Sequence, residues 1–86
     1  MFTVYVLYSK SHQKIYIGYT SNLEERLISH NVLGTKGYTL KYRPWELIYS
    51  EVYEDKASAM KREKQLKSSR GRDFIKNIIV GLISVS

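Results

Sequence analysis

Two short runs of β-branched and aromatic residues lie close together at the start of the chain. Thr3 to Tyr8 reads TVYVLY and Ile15 to Thr20 reads IYIGYT. Residues of this kind fit a pleated, half-buried surface, so each run is expected to form a strand. Ser9-Lys10-Ser11-His12-Gln13-Lys14 between them is polar and suits a hairpin loop. Side chains alternate along a strand, which puts Thr3, Tyr5 and Leu7 on one face. Tyr16, Gly18 and Thr20 share a face of the second strand. Tyr5 and Tyr16 can then stand on the same side of the hairpin, if the register allows it. Gly18 weakens a strand and packs nothing, and one use for such a glycine is to let a ligand or another backbone come close.

The next stretch starts a helix. Ser21 with Glu24 fits a capping box, and Asn22 with Glu25 is an alternative frame. Leu23 and Leu27 lie one turn apart, and Arg26 and His30 flank the same stripe. Ile28 and Val32 point elsewhere, and Gly34 is a reasonable stop. Gly34 to Pro44 reads as a loop in which Lys36, Lys41 and Arg43 interleave with Tyr38 and Tyr42. That mixture suits either a nucleic-acid contact surface or an ordinary polar connection.

Trp45 to Tyr53 alternates as a third strand, with Leu47, Tyr49 and Glu51 on one side and Ile48, Ser50 and Val52 on the other. Asp55 can cap a second helix, Lys56 to about Lys67, with an apolar arc of Ala59, Met60 and Leu66. Glu63 falls inside that arc. Ser68-Ser69-Arg70-Gly71-Arg72 reads as a break. Asp73 can cap a last helix, Phe74 to about Ile83, whose apolar side is Ile75, Ile78, Ile79, Leu82 and Ile83.

Composition narrows the function. The chain has 86 residues, enough for one small domain, and no cysteine, which excludes disulfides and zinc fingers. The N-terminus lacks the charged and apolar regions of a secretory signal, and Ile78 to Val85 is too short to span a bilayer. These features point to a soluble cytoplasmic protein. Lysine and arginine number 14 against 8 acids, a formal charge of +6, which favours a polyanionic partner such as nucleic acid.

A carboxylate among apolar neighbours, as at Glu63, needs a partner: a nearby lysine or arginine, or a bound cation. A lone carboxylate completed by water and phosphate oxygens is a common way to hold Mg²⁺. Arg26 is either a solvated helix arginine or a clamp on a phosphate.

Tyr16-Ile17-Gly18, preceded by the degenerate Thr3-Val4-Tyr5, resembles the signature of the GIY-YIG nuclease family. The ordered set Tyr5, Tyr16, Arg26, His30 and Glu63 strengthens the resemblance, with Asn77 a candidate for the family's late asparagine. Asn22-Leu23-x-x-Arg26 and Ala59-x-x-x-Glu63-x-x-x-Lys67 also look like the family's helices. The resemblance covers nearly the whole chain and implies one stand-alone catalytic domain, residues 1–86, similar to the catalytic domains of excinucleases and of homing endonucleases. It implies an α+β fold in the order ββαβαα, with a three-stranded antiparallel sheet flanked by helices.

It further implies a DNA endonuclease of repair or recombination that uses Mg²⁺ or Mn²⁺ at Glu63. Tyr5, Tyr16, Arg26, His30, Glu63 and Asn77 are then the catalytic set. Lys14, Gly18, Lys36, Tyr38, Lys41, Tyr42, Arg43, Lys67, Arg70 and Arg72 are the expected nucleic-acid contacts. The rival expectation is a non-catalytic nucleic-acid-binding module, or a basic partner of a repair complex. Loss of Arg26 or Glu63 would mark it, and both are present.

Overall fold

The computed structural model describes residues 1–28 and 41–85, with side chains as far as Leu82. The readings placed on His30, Val32, Gly34, Lys36, Tyr38 and Ile83 fall outside these residues and side chains. Strand β1 spans Phe2–Ser9, β2 Lys14–Thr20 and β3 Glu46–Tyr53. Helices α1, α2 and α3 span Leu23–Ile28, Lys56–Lys67 and Ser69–Val85. The strands form one antiparallel sheet, as the resemblance implies, and their order in it is β2-β1-β3.

The register places Tyr5 opposite Gly18 and Leu7 opposite Tyr16. Tyr5, Leu7, Tyr16 and Gly18 therefore share one face. There Tyr5, Leu7 and Trp45 form a buried cluster, packed by Leu23 and Leu27 of α1 and by Tyr16 and Tyr42. The other face carries Val4, Val6 and Ile17, which pack on Ala59, Leu66 and Ile75 of α2 and α3. Each large aliphatic side chain removed from water there contributes about 1.5–3 kcal/mol. The sheet thus packs on both faces, although Leu47 and Val52 of β3 stay exposed on the Tyr5 side.

Three local expectations need correction. In β3 the pairing shifts by one residue: Val6 opposes Tyr49, but Leu7 opposes Leu47. Ile48 has no partner of its own, so a bulge breaks the strict alternation and puts Leu47 on the face away from Tyr49. Met60 is 38 % exposed and lies outside the arc that Ala59 and Leu66 bury. The last helix begins at Ser69 and not after Asp73. The Gly71 N–H donates to Ser68 Oγ at 3.3 Å, and the Arg72 N–H to the Ser68 carbonyl at 2.9 Å. Ser68 is also the C-cap of α2, so one residue serves both helices. Asp55 caps α2 as expected, its Oδ1 accepting from the Ser58 N–H at 2.7 Å.

On the α2 side of β3, Glu51 gathers the hydroxyls of Tyr49 and Tyr53 and the guanidinium of Arg62. Burial alone would push its carboxyl up, but these donors outweigh it and hold the group below the usual carboxylate range. Glu51 ties the far edge of the sheet to α2.

Candidate active site

β2 is an outer strand, and a cleft of 390 Å³ wraps its edge. Four of the expected catalytic residues meet there: Tyr5 and Tyr16 from the hairpin, Arg26 from α1 and Glu63 from α2. Local structure explains each position. Asn22 caps α1: its Oδ1 accepts from the Glu25 N–H at 3.1 Å, and its Nδ2 donates to Glu25 Oε2 at 3.2 Å. Of the two capping frames, Asn22 with Glu25 is the one used. That cap fixes the helix turn carrying Arg26, while Leu23 and Leu27 face the sheet. Glu63 lies between Ala59 and Leu66 on the buried side of α2, and its side chain is 18 % exposed.

Gly18 has a definite role. A Cβ at this position would lie 2.6 Å from the Tyr5 hydroxyl oxygen and 3.1 Å from a Tyr16 ring carbon. The close approach that the glycine permits is therefore that of the Tyr5 phenol, across the strand pair. The two rings are stacked with centroids 6.2 Å apart and 22° between planes. Trp45 closes the group, edge-on to Tyr16 at 6.3 Å.

Burial pushes the Tyr5 phenol up to about 12. Its hydrogen bond with Arg26 draws it down, and the Tyr16 phenol and Glu63 carboxylate nearby push it up. Arg26 favours the phenolate, as its charge suggests, but burial is the larger effect. In the folded chain Tyr5 keeps its proton. The sign of the pH effect follows. An unperturbed phenol ionises near 10.0 and Tyr5 near 12, so the folded state holds the extra proton between these values. The stability from this group is full below about pH 10 and is lost as pH rises towards about 12. In an alkaline absorbance titration Tyr5 should contribute to a step above the ordinary phenol range, and Tyr5→Phe should reduce the amplitude of that step. An unchanged titration in the variant would refute this assignment.

Glu63 Oε1 accepts from Lys67 Nζ at 3.0 Å, one turn on. The carboxylate therefore has the lysine partner that was one of its two readings. Lys56 also lines the cleft. It was missed in the sequence, although it lies seven residues before Glu63 and so shares its side of α2. Among the described residues no cluster of three or more His, Asp or Glu side chains could hold a metal ion. A single carboxylate with phenols and open space fits a hard, oxygen-seeking ion that keeps water ligands, and does not fit zinc.

Most of the other expected residues lie elsewhere. Asn77 is exposed on α3 and does not line the cleft. Arg70 borders a separate hollow beside Arg62 and Phe74. Tyr42 is half-buried on the Trp45 cluster, with Lys14 Nζ 5.6 Å and Lys41 Nζ 5.4 Å from its ring centroid. The His12 ring meets it edge-on at 5.3 Å. Arg43 is half-buried near the start of β3, and Lys67 and Gly18 line the cleft itself.

A hairpin carrying two tyrosines, an arginine on the next helix and a glutamate on a later one meet in a single cleft of this α+β fold. The GIY-YIG catalytic-domain family model matches residues 1–77, and the chain belongs to that family. Several of its relatives carry the UPF0213 name. A UPF0213 protein of Staphylococcus haemolyticus is 36 % identical over 75 residues, covering 87 % of this chain and 90 % of its own. One of Natronomonas pharaonis is 40 % identical over 65 residues, covering 76 % and 75 % respectively. The solution NMR structure of a UPF0213 protein from Bacillus halodurans has a similar fold, with a TM-score of 0.53 and 26 % identity. That match covers 91 % of this chain and 85 % of the other. Among the described residues no helix is long and apolar enough to cross a membrane.

Proposed function

We propose that this chain is a metal-dependent endonuclease that hydrolyses DNA phosphodiester bonds, acting in the cytoplasm in repair or recombination. The observation that carries the reading is the meeting of Tyr5, Tyr16, Arg26 and Glu63 in one cleft at the edge of β2. Family membership supports it, since nucleases of this family are generally metal-dependent.

Glu63 would hold Mg²⁺ or Mn²⁺, which supplies Lewis-acid charge at a phosphate oxygen and at the leaving oxygen. Lys67 now engages the Glu63 carboxylate, and its exposed stem leaves it free to swing onto a phosphate instead. Arg26 neutralises the charge that grows on the phosphoryl oxygens, for which its planar fork of donors is suited. Tyr16 donates a hydrogen bond to the phosphate or the attacking water. Tyr5 orients that water. It accepts the water's proton only once positive charge in the cleft offsets the burial that now keeps its own proton on. His30 is the other candidate acceptor, and Asn77 stays in the proposed set as a phosphate contact outside the cleft.

The test is direct. The purified protein is incubated with linear, nicked, branched and single-stranded DNA, with Mg²⁺ or Mn²⁺ and with a chelator. Cleavage that requires the metal is expected on at least one substrate. Salt-sensitive binding without cleavage under every metal condition would overturn the enzyme reading and favour the binding module.

A further inference from the structure

The cleft is one end of a longer groove. Tyr16, Ile17 and Lys67 border both the cleft and a neighbouring hollow. Ile15 and Arg72 border both that hollow and a third, larger one of 620 Å³. Together they follow the outer edge of β2 from Glu63 to the hairpin turn. The far end lies between that turn and α3. Its floor is apolar, made by the half-buried Ile15 and Ile79 over the fully buried Ile75, and its rim carries Lys14, Arg72 and Lys76. Among the described residues no carboxylate borders this end or the middle hollow. Gln13, also on the rim, has a φ of 55°. A side chain is rarely tolerated in that left-handed region, and glycine or asparagine is the usual choice in such a turn. A glutamine kept there at a steric cost projects an amide beside the groove.

Resting on the reading that the cleft cuts DNA, we propose that this far end seats an unpaired strand flanking the scissile bond. Its phosphates lie on Arg72, Lys76 and Lys14, and its bases lie against the isoleucine floor and the Tyr8 ring. A cationic rim alone would suit any polyanion. The apolar floor makes the choice, because only an unpaired strand offers its base faces for burial. A duplex keeps them stacked inside and would use the rim alone.

Binding is measured by fluorescence anisotropy in metal-free buffer, so that nothing is cut. The probes are a labelled oligothymidylate of roughly 12 nucleotides, the same length as duplex, and a matching abasic oligomer. The parent chain should bind the oligothymidylate about tenfold more tightly than the abasic strand. Arg72→Glu with Lys76→Glu, both at exposed positions, should weaken oligothymidylate binding about tenfold and erase the preference for bases. Lys61→Glu with Lys64→Glu makes the same charge change on exposed α2 positions away from the groove. It should cost less than about threefold and keep the preference. Amide shifts in the parent chain on adding the oligothymidylate should cluster at Gln13, Arg72 and Lys76, a readout that needs no variant. Equal losses in the two double variants, equal binding of the abasic strand, or preference for the duplex would overturn the proposal. Cleavage is assayed separately with Mg²⁺, so failure of the nuclease reading and failure of the groove give different results.

Discussion

Glu63→Gln should lower metal-dependent cleavage about a thousandfold while DNA binding and the melting temperature stay near those of the parent chain. The substitution keeps the size of the side chain and removes its charge. Its structural cost is small, because the ion pair with Lys67 is an i,i+4 pair whose lysine is 51 % exposed. Such pairs contribute only about 0.3–0.5 kcal/mol. Lost activity in a variant that still melts normally therefore reports on the chemistry and not on the fold. Tyr5→Phe makes the comparison informative. It removes the hydroxyl that lies against Gly18 and hydrogen-bonds Arg26, but leaves the ring stacked on Tyr16. It should slow cleavage about a hundredfold at saturating metal, without raising the metal concentration needed for half-maximal rate. Single-turnover rates across a metal titration separate the two effects. If Glu63→Gln cuts as fast as the parent, Glu63 does not hold the ion and the proposed mechanism is wrong.

The parts of this site legible in the sequence share one property: their geometry follows from a short-range period. Alternation in the hairpin put Tyr5, Tyr16 and Gly18 on one face, and the observed register does the same. Helical spacing put Glu63 between Ala59 and Leu66, where it is found. What was not legible depends on contacts between segments far apart in the chain. The bulge at Ile48 has no glycine or proline to mark it, and it arises from how β3 fits against Leu7. Ser68 and Asp73 are both good cap residues, and α3 starts from Ser68, where α2 also ends. The phenol of Tyr5 offered a similar ambiguity. Its neighbour Arg26 argues for easy ionisation, whereas its environment, visible only in the fold, leaves the residue 1 % exposed and favours the protonated form.

Gly71→Ala should destabilise the protein by about 3 kcal/mol, although the same change inside a helix ordinarily stabilises it by about 0.5–1 kcal/mol. The sequence around Gly71 reads as a chain break, but the residue lies buried in the first turn of α3. An added Cβ would stand 2.3 Å from the Gln65 carbonyl oxygen, 2.4 Å from the Leu66 Cα and 2.5 Å from its carbonyl carbon. All three are backbone atoms of α2, so no side chain can rotate away. The two helices would have to part at the bend where Ser68 caps both, and Leu66 and Ile75, each fully buried, would lose their packing. For a domain of this size such a loss lowers the melting temperature by about 12–24 °C. Gly81 provides the control in the same helix. A Cβ there meets nothing within 4 Å, so Gly81→Ala should leave stability unchanged or raise it by about 0.5 kcal/mol. Thermal melts of both variants followed by circular dichroism decide the matter. Equal melting temperatures would mean that α2 and α3 do not cross as closely as described. The consequence would reach the active site, because α2 carries Glu63, and a shift of that helix should lower cleavage even in the Gly71→Ala molecules that remain folded.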